Sequence, residues 1–141
     1  PGNIVMSDCI VENRDRLLHS TYSGNATRQK SRPLDDIRFE NTKATGISMP
    51  LTAYGDEKDL FTLELENVEV SFRDGFDDVT FMHACNIKRI VLDDVAILNN
   101  NSNPLIKMWS DGKIEINNLV CNVKKENYIH RTEEPFNCNP I

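Results

Sequence analysis

The residues with the widest chemical scope are the acidic pairs, the histidines, a few aromatics and the cysteines. Adjacent carboxylates occur at Asp35-Asp36, Asp77-Asp78, Asp93-Asp94 and Glu133-Glu134. Cleaving a glycosidic bond with inversion needs two carboxyl groups about 6.5–9.5 Å apart and facing each other. Neighbouring strand residues point to opposite faces, so none of these pairs is expected to converge. The histidines are His19, His83 and His130. Tyr22, Tyr54 and Trp109 carry rings that can stack on the C–H face of a sugar, although Trp109 equally suits packing at the end of the fold. Arg28 and Lys30 can pair with a uronate carboxylate, or simply belong to a solvated loop. Cys9, Cys85, Cys121 and Cys138 form no CxxC or CxxxxC spacing, so neither a metal site nor a cofactor is expected. Cys9 and Cys121 read as buried free thiols, and a Cys85–Cys138 disulfide is left open. Two sequons occur, at Asn25-Ala26-Thr27 and Asn100-Asn101-Ser102.

What must position these groups is a repeat. Five segments, beginning at Asn3, Asp36, Thr62, Arg89 and Lys113, share one alternating pattern. Its first apolar column is Ile4, Ile37, Leu63, Ile90 and Ile114; its second is Met6, Phe39, Leu65, Leu92 and Ile116. A polar column follows at Asp8, Asn41, Asn67, Asp94 and Asn118, with successive spacings of 33, 26, 27 and 24 residues. Period-two alternation means strands. Short strands at this spacing, with no helical return, predict a right-handed parallel β-helix of about five coils, stacked at about 4.8 Å. Asn and Asp tolerate bends and can bond to one another along the stack, so the polar column, Asp8 and Asp94 included, reads as structural. A second apolar stretch follows in the coils, at 17–19, 47–51, 79–83 and 105–109. The expected organisation is coils over 1–124 and a capping tail over 125–141.

The chain has 141 residues, 39% of them hydrophobic and 27% charged, which fits a folded domain and excludes an acidic disordered tail. Its net charge is −6 with no large basic cluster, so a nucleic-acid partner is not expected. No apolar run reaches the roughly 18 residues of a membrane span, so no membrane partner is expected either. The opening Pro1-Gly2-Asn3 runs at once into a strand pattern, which reads as a fragment of a longer β-helix. A first coil covered on one side only should be sticky, and a two-fold homodimer through it is the expectation.

The stretches Asn3-Ile4-Val5-Met6-Ser7-Asp8-Cys9 and Pro33-Leu34-Asp35-Asp36-Ile37-Arg38-Phe39-Glu40-Asn41, with Pro50 to Tyr54, resemble the C-terminal coils of glycoside hydrolase family 28, the polygalacturonases, within the pectate-lyase superfamily. The likeness covers residues 2–125. It implies the C-terminal part of a glycosidase acting on pectin-like galacturonan, secreted or extracellular. The family's NTD, GDD and GHG motifs are absent, which places its catalytic residues upstream, and Leu18 and Ser20 stand where its Arg-Ile-Lys strand has cations. What the resemblance implies for a substrate site is His19 and Tyr54, to which Tyr22, Arg28 and Lys30 are added as residues able to hold a uronate-bearing polysaccharide. A non-catalytic carbohydrate-binding or structural module is the alternative.

Overall fold

The computed structural model describes residues 2–20, 34–55, 60–102, 104–109 and 112–132. Eleven strands run through them: β1 (Gly2–Ser7), β2 (Ile10–Glu12), β3 (His19–Ser20), β4 (Leu34–Ile47), β5 (Leu51–Tyr54), β6 (Phe61–Phe72), β7 (Met82–Cys85), β8 (Ile87–Leu98), β9 (Ile106–Trp109), β10 (Lys113–Val120) and β11 (Ile129–Thr132). They form two stacked, all-parallel sheets. The larger sheet has the order β1-β4-β6-β8-β10, with β2 also on β4; the smaller has the order β11-β9-β7-β5-β3. Each circuit visits the large sheet once and the small sheet once. The molecule is therefore an all-β parallel β-helix.

Its register is the one the repeat predicts. Asn3 pairs with Asp36, Asp36 with Thr62, Thr62 with Arg89, and Lys113 with Arg89. Both apolar columns consequently stack residue on residue. Ile37, Leu63 and Ile90 are buried in one column, Phe39, Leu65 and Leu92 in the other, within one continuous core. The polar column adopts positive φ throughout: Asp8 55°, Asn41 50°, Asn67 52°, Asp94 55° and Asn118 70°. Asn and Asp enter this region at little cost because their short side chains bond locally. Here they also bond along the axis, Asn67 Nδ2 donating to Asn41 Oδ1 at 2.8 Å and Asn118 Nδ2 to Asp94 Oδ1 at 2.9 Å. At the next corner Gly46 (φ 71°) lies against Asn13 Oδ1, where a Cβ would collide.

The solenoid makes about three full turns, not the five expected. The difference lies at the ends. Ile4 and Met6, in register with the buried columns, remain 47% and 43% exposed, because the first rung is covered on one side only. Ile114 and Ile116 in the last described long strand are half-buried. The same half-coverage corrects the expectation for Cys9 and Cys121: both are free thiols, but half-buried rather than enclosed. Past Lys125–Asn127, a short 3-10 turn, Ile129–Thr132 adds a strand to the small sheet beside β9.

The inward columns carry the stability. Leu65, fully buried between Phe39 and Leu92, should cost about 2–5 kcal/mol when changed to Ala. Arg38, exposed and ion-paired to Glu40 and Glu64, should cost about 1 kcal/mol or less as Arg38→Ala. Urea unfolding of the two variants checks the difference.

Candidate functional site

The small sheet has strands of four residues or fewer, and alternation divides each one cleanly. Leu51, Ala53, Met82, Ala84, Ile106 and Met108 enter the core. The intervening residues therefore point away from the core, and register stacks them in two columns, in which Thr52, Tyr54 and Cys85 are nonetheless buried. One is His19, Thr52, His83, Lys107 and His130; the other is Tyr54, Cys85, Trp109 and Thr132. The strand sequences HS, LTAY, MHAC, IKMW and IHRT contain no carboxylate. The large sheet is the opposite case. There Glu64 takes Arg38 at 3.1 Å, Glu69 takes Lys43 at 3.5 Å, and Glu115 takes Arg89 through two bonds of 2.6 and 3.0 Å. In a chain of net charge −6, the described strands of the small sheet thus carry basic and aromatic residues and no acid.

Arg16 reaches into this face from the segment before β3. Its Nη1 lies 3.2 Å from His19 Nδ1 and donates to Thr52 Oγ1 at 3.4 Å, while His19 Nδ1 and Thr52 Oγ1 are 2.6 Å apart. Arginine can only donate. Both of its contacts are hydrogen bonds only if His19 Nδ1 is an acceptor, with the Thr52 hydroxyl donating to it. That is a neutral imidazole. The electrostatics agree: burial, then Arg16, holds the His19 pKa below its ordinary value. His83 is lowered too, by burial first, then by Lys107 and Arg16. Tyr54 is buried, which raises its phenol. Cys85 is buried and disulfide-bonded, with its partner outside the described residues.

The sequence-derived candidates divide. His19 and Tyr54 come together on this face, at neighbouring rungs. Tyr22, Arg28 and Lys30 lie outside the described residues. Arg16, His83 and Lys107 were not singled out as sugar-site residues, yet Arg16 and Lys107 bring positive charge to this face, while burial and those two cations favour the neutral form of His83. Their signal was the absence of Asp and Glu from the second apolar stretch of each coil. Trp109 sits on this outer face, half-buried, rather than at the end of the stack.

Other features are structural. A concavity of about 480 Å³ at Asp8, Asn41 and Lys43, and another of about 410 Å³ at Arg73, Asp77 and Asn99, lie at bends. In the second, Asp77 Oδ2 accepts from Asn101, whose Oδ1 accepts from Asn122. Asp94 belongs to the bend column, and its neighbour Asp93 stacks on Glu66 in the large sheet. Asn100, the acceptor of one sequon, is wholly buried, and its Nδ2 donates to Val79 O at 2.7 Å. That position cannot carry a glycan in the folded chain. No group of three His, Cys, Asp or Glu able to hold a metal occurs among the described residues.

No protein family, curated protein or solved structure matches the chain. The functional reading therefore rests on the residues and their geometry.

The lowered histidines set a pH dependence. A pKa held below 6.5 in the fold means the neutral form is favoured there, so stability is full above pH 6.5 and falls as acid forces protonation. Urea midpoints measured from neutrality to about pH 5 should decline, and His83→Gln should flatten the decline.

Proposed function

We propose that this chain forms substrate-holding C-terminal coils of a polysaccharide-degrading protein of the polygalacturonase kind. The substrate is a pectin-like galacturonan, and the catalytic carboxylates belong to coils outside this chain. The observation that carries the reading is the outer face of the small sheet. Arg16 and Lys107 supply cations there, with His19, His83 and the half-buried Trp109 in the same outward columns and Tyr54 buried among them, and the strands hold no acidic residue. An acidic sugar chain needs that combination: cations for its carboxylates, and ring faces or amphipathic edges for its C–H surfaces. The buried disulfide at Cys85 supports a secreted setting, since disulfides persist in oxidising compartments.

The carboxylates favour placing catalysis elsewhere. Glu40, Glu66 and Asp93 stack on the other sheet, and Asp94 is held in a bend. A non-catalytic carbohydrate-binding module accounts for the same face, and activity of the longer protein separates the two. The chain alone should bind polygalacturonate in preference to neutral polysaccharides and release no reducing sugar from it. The longer protein should release reducing sugar from a pectic polysaccharide panel. Binding without turnover by the longer protein selects the binding module, and no binding by the chain overturns both.

Taken by itself, without the further coils proposed above, the chain fits self-association through β1. β1 carries no charge and no proline, the devices that usually keep an edge strand from pairing, and it exposes Ile4, Val5 and Met6. A two-fold pairing closes, whereas a head-to-tail one would continue into a fibre. Sedimentation should show a dimer for the wild type and a monomer for Ile4→Lys.

A further inference from the structure

The segment that leads into β3 is fixed by its backbone at both ends. Asn13 N–H donates to Thr45 O at 2.8 Å, Asp15 O accepts from the N–H groups of Ser48 and Met49 at 3.1 and 2.7 Å, and Leu18 O accepts from Thr52 N–H at 3.0 Å. The Arg16 side chain is held more lightly. Its Nη1 donates to His19 Nδ1 at 3.2 Å and to Thr52 Oγ1 at 3.4 Å, and its Nη2 to Met49 Sδ at 3.4 Å. All three acceptors are uncharged, whereas carboxylates hold Arg38 and Arg89. Asp15, its neighbour in the chain, accepts from Ser48 Oγ at 3.5 Å. The contact with His19 is the shortest of the three, and a thioether is a weak acceptor. The hold on the guanidinium therefore depends chiefly on a lone pair at His19 Nδ1. Protonating the ring removes that lone pair and sets a second positive charge beside the first.

We propose that His19 is a positioning residue for Arg16: its neutral ring holds the guanidinium on the outer face of the small sheet, and protonation of the ring releases it. The arginine side chain is the part that moves, because backbone bonds fix its segment and His19 pairs in register with Thr52. The Thr52 hydroxyl donates to the neutral ring and can turn to accept from a new Nδ1–H, so their 2.6 Å contact survives while Arg16 loses its nearest acceptor. From its own segment His19 faces Arg16, from β5 Thr52 and Tyr54, and from β7, one rung further, His83. None of these is an acid that could steady an imidazolium. Burial and Arg16 already favour the neutral ring, so release falls below pH 6.5. The consequence runs against the simple expectation for a face that bears histidines. Acid takes a guanidinium away from the face, and a ligand that depends on Arg16 is let go rather than gripped harder. That last step rests on the reading of the face as a surface for a galacturonan; the hold of His19 on Arg16 does not.

The test uses the full chain, isotopically labelled, from neutrality to about pH 5. Nitrogen NMR of the wild type should find the neutral His19 ring with its proton on Nε2, and the Arg16 Nε–H signal should move along the His19 titration curve. In His19→Asn the amide oxygen can stand where Nδ1 does and does not titrate, so the Arg16 signal should stay in place. Arg16→Met should raise the titration points of both His19 and His83, each of which loses a neighbouring cation. Binding of polygalacturonate oligomers, followed calorimetrically, should weaken about tenfold as the wild type passes through the His19 titration, the usual worth of one charge-assisted bond. It should not weaken in His19→Asn. Unchanged far-UV spectra establish that each chain stays folded across the range. A proton on Nδ1 at neutral pH, or an Arg16 signal that does not follow His19, overturns the positioning role and leaves the reading of the face standing. Affinity that holds or rises while Arg16 is released overturns its part in binding. Oligomers that bind neither chain at neutral pH overturn the reading of the face, and the NMR result alone then decides the positioning role.

Discussion

A parallel coil has to turn its backbone out of the β region without leaving the hydrogen-bonding row that joins it to the coils on either side. Here the turn is made at Asp8, Asn41, Asn67, Asp94 and Asn118, all with φ between 50° and 70°. Most side chains resist that region by roughly 1–2 kcal/mol, and Asn and Asp resist it least. Because each coil bends at the same position, the residues before and after the bend fall into register with those above and below. The buried columns, the continuous sheets and the shared outward faces all follow from that coincidence. The amide bonds from Asn67 to Asn41 and from Asn118 to Asp94 secure it along the axis.

Stacking in register also decides where charge can go. A residue type that recurs in a column meets its own kind about 4.8 Å away, so opposite charges on successive rungs attract and like charges oppose one another. Although Glu40, Glu66 and Asp93 stack acid on acid, the large sheet pairs opposite charges across rungs at Arg38–Glu64, Lys43–Glu69 and Arg89–Glu115. The small sheet does not. Its outer columns hold Thr, His and Lys on one line and Tyr, Cys, Trp and Thr on the other. At its N-terminal end a neutral His19 is locked between Arg16 and Thr52, which keeps a guanidinium at the edge of the face.

Much of the fold could be read from the sequence, because burial writes itself as alternation. The columns headed by Ile4 and Met6, and the bend column headed by Asp8, needed only the repeat to be aligned. The number of full turns was less legible. A pattern marks which residues would face a core, and it does not mark whether a neighbouring rung is there to cover them, as Ile4 and Cys9 illustrate. The site was legible in part. His19 and Tyr54 came from the family resemblance. Lys107, His83 and Arg16 could not be joined by eye, since they are separated by long stretches of chain and meet only through rung-to-rung register. The buried Asn100 shows the converse, a surface motif by spelling that packing has enclosed.

Each coil carries its own bend residue, its own inward pair and its own short outer strand, while the differences in coil length are absorbed at the corners. The molecule is therefore extensible in whole units. A coil duplicated or deleted between two corners leaves every remaining contact of the others unchanged in kind, and the outer face of the small sheet grows or shrinks by one strand spacing. The length of the outer face along the axis is thereby set by counting repeats. Such a scaffold can be lengthened without losing the chemistry of any position it already has.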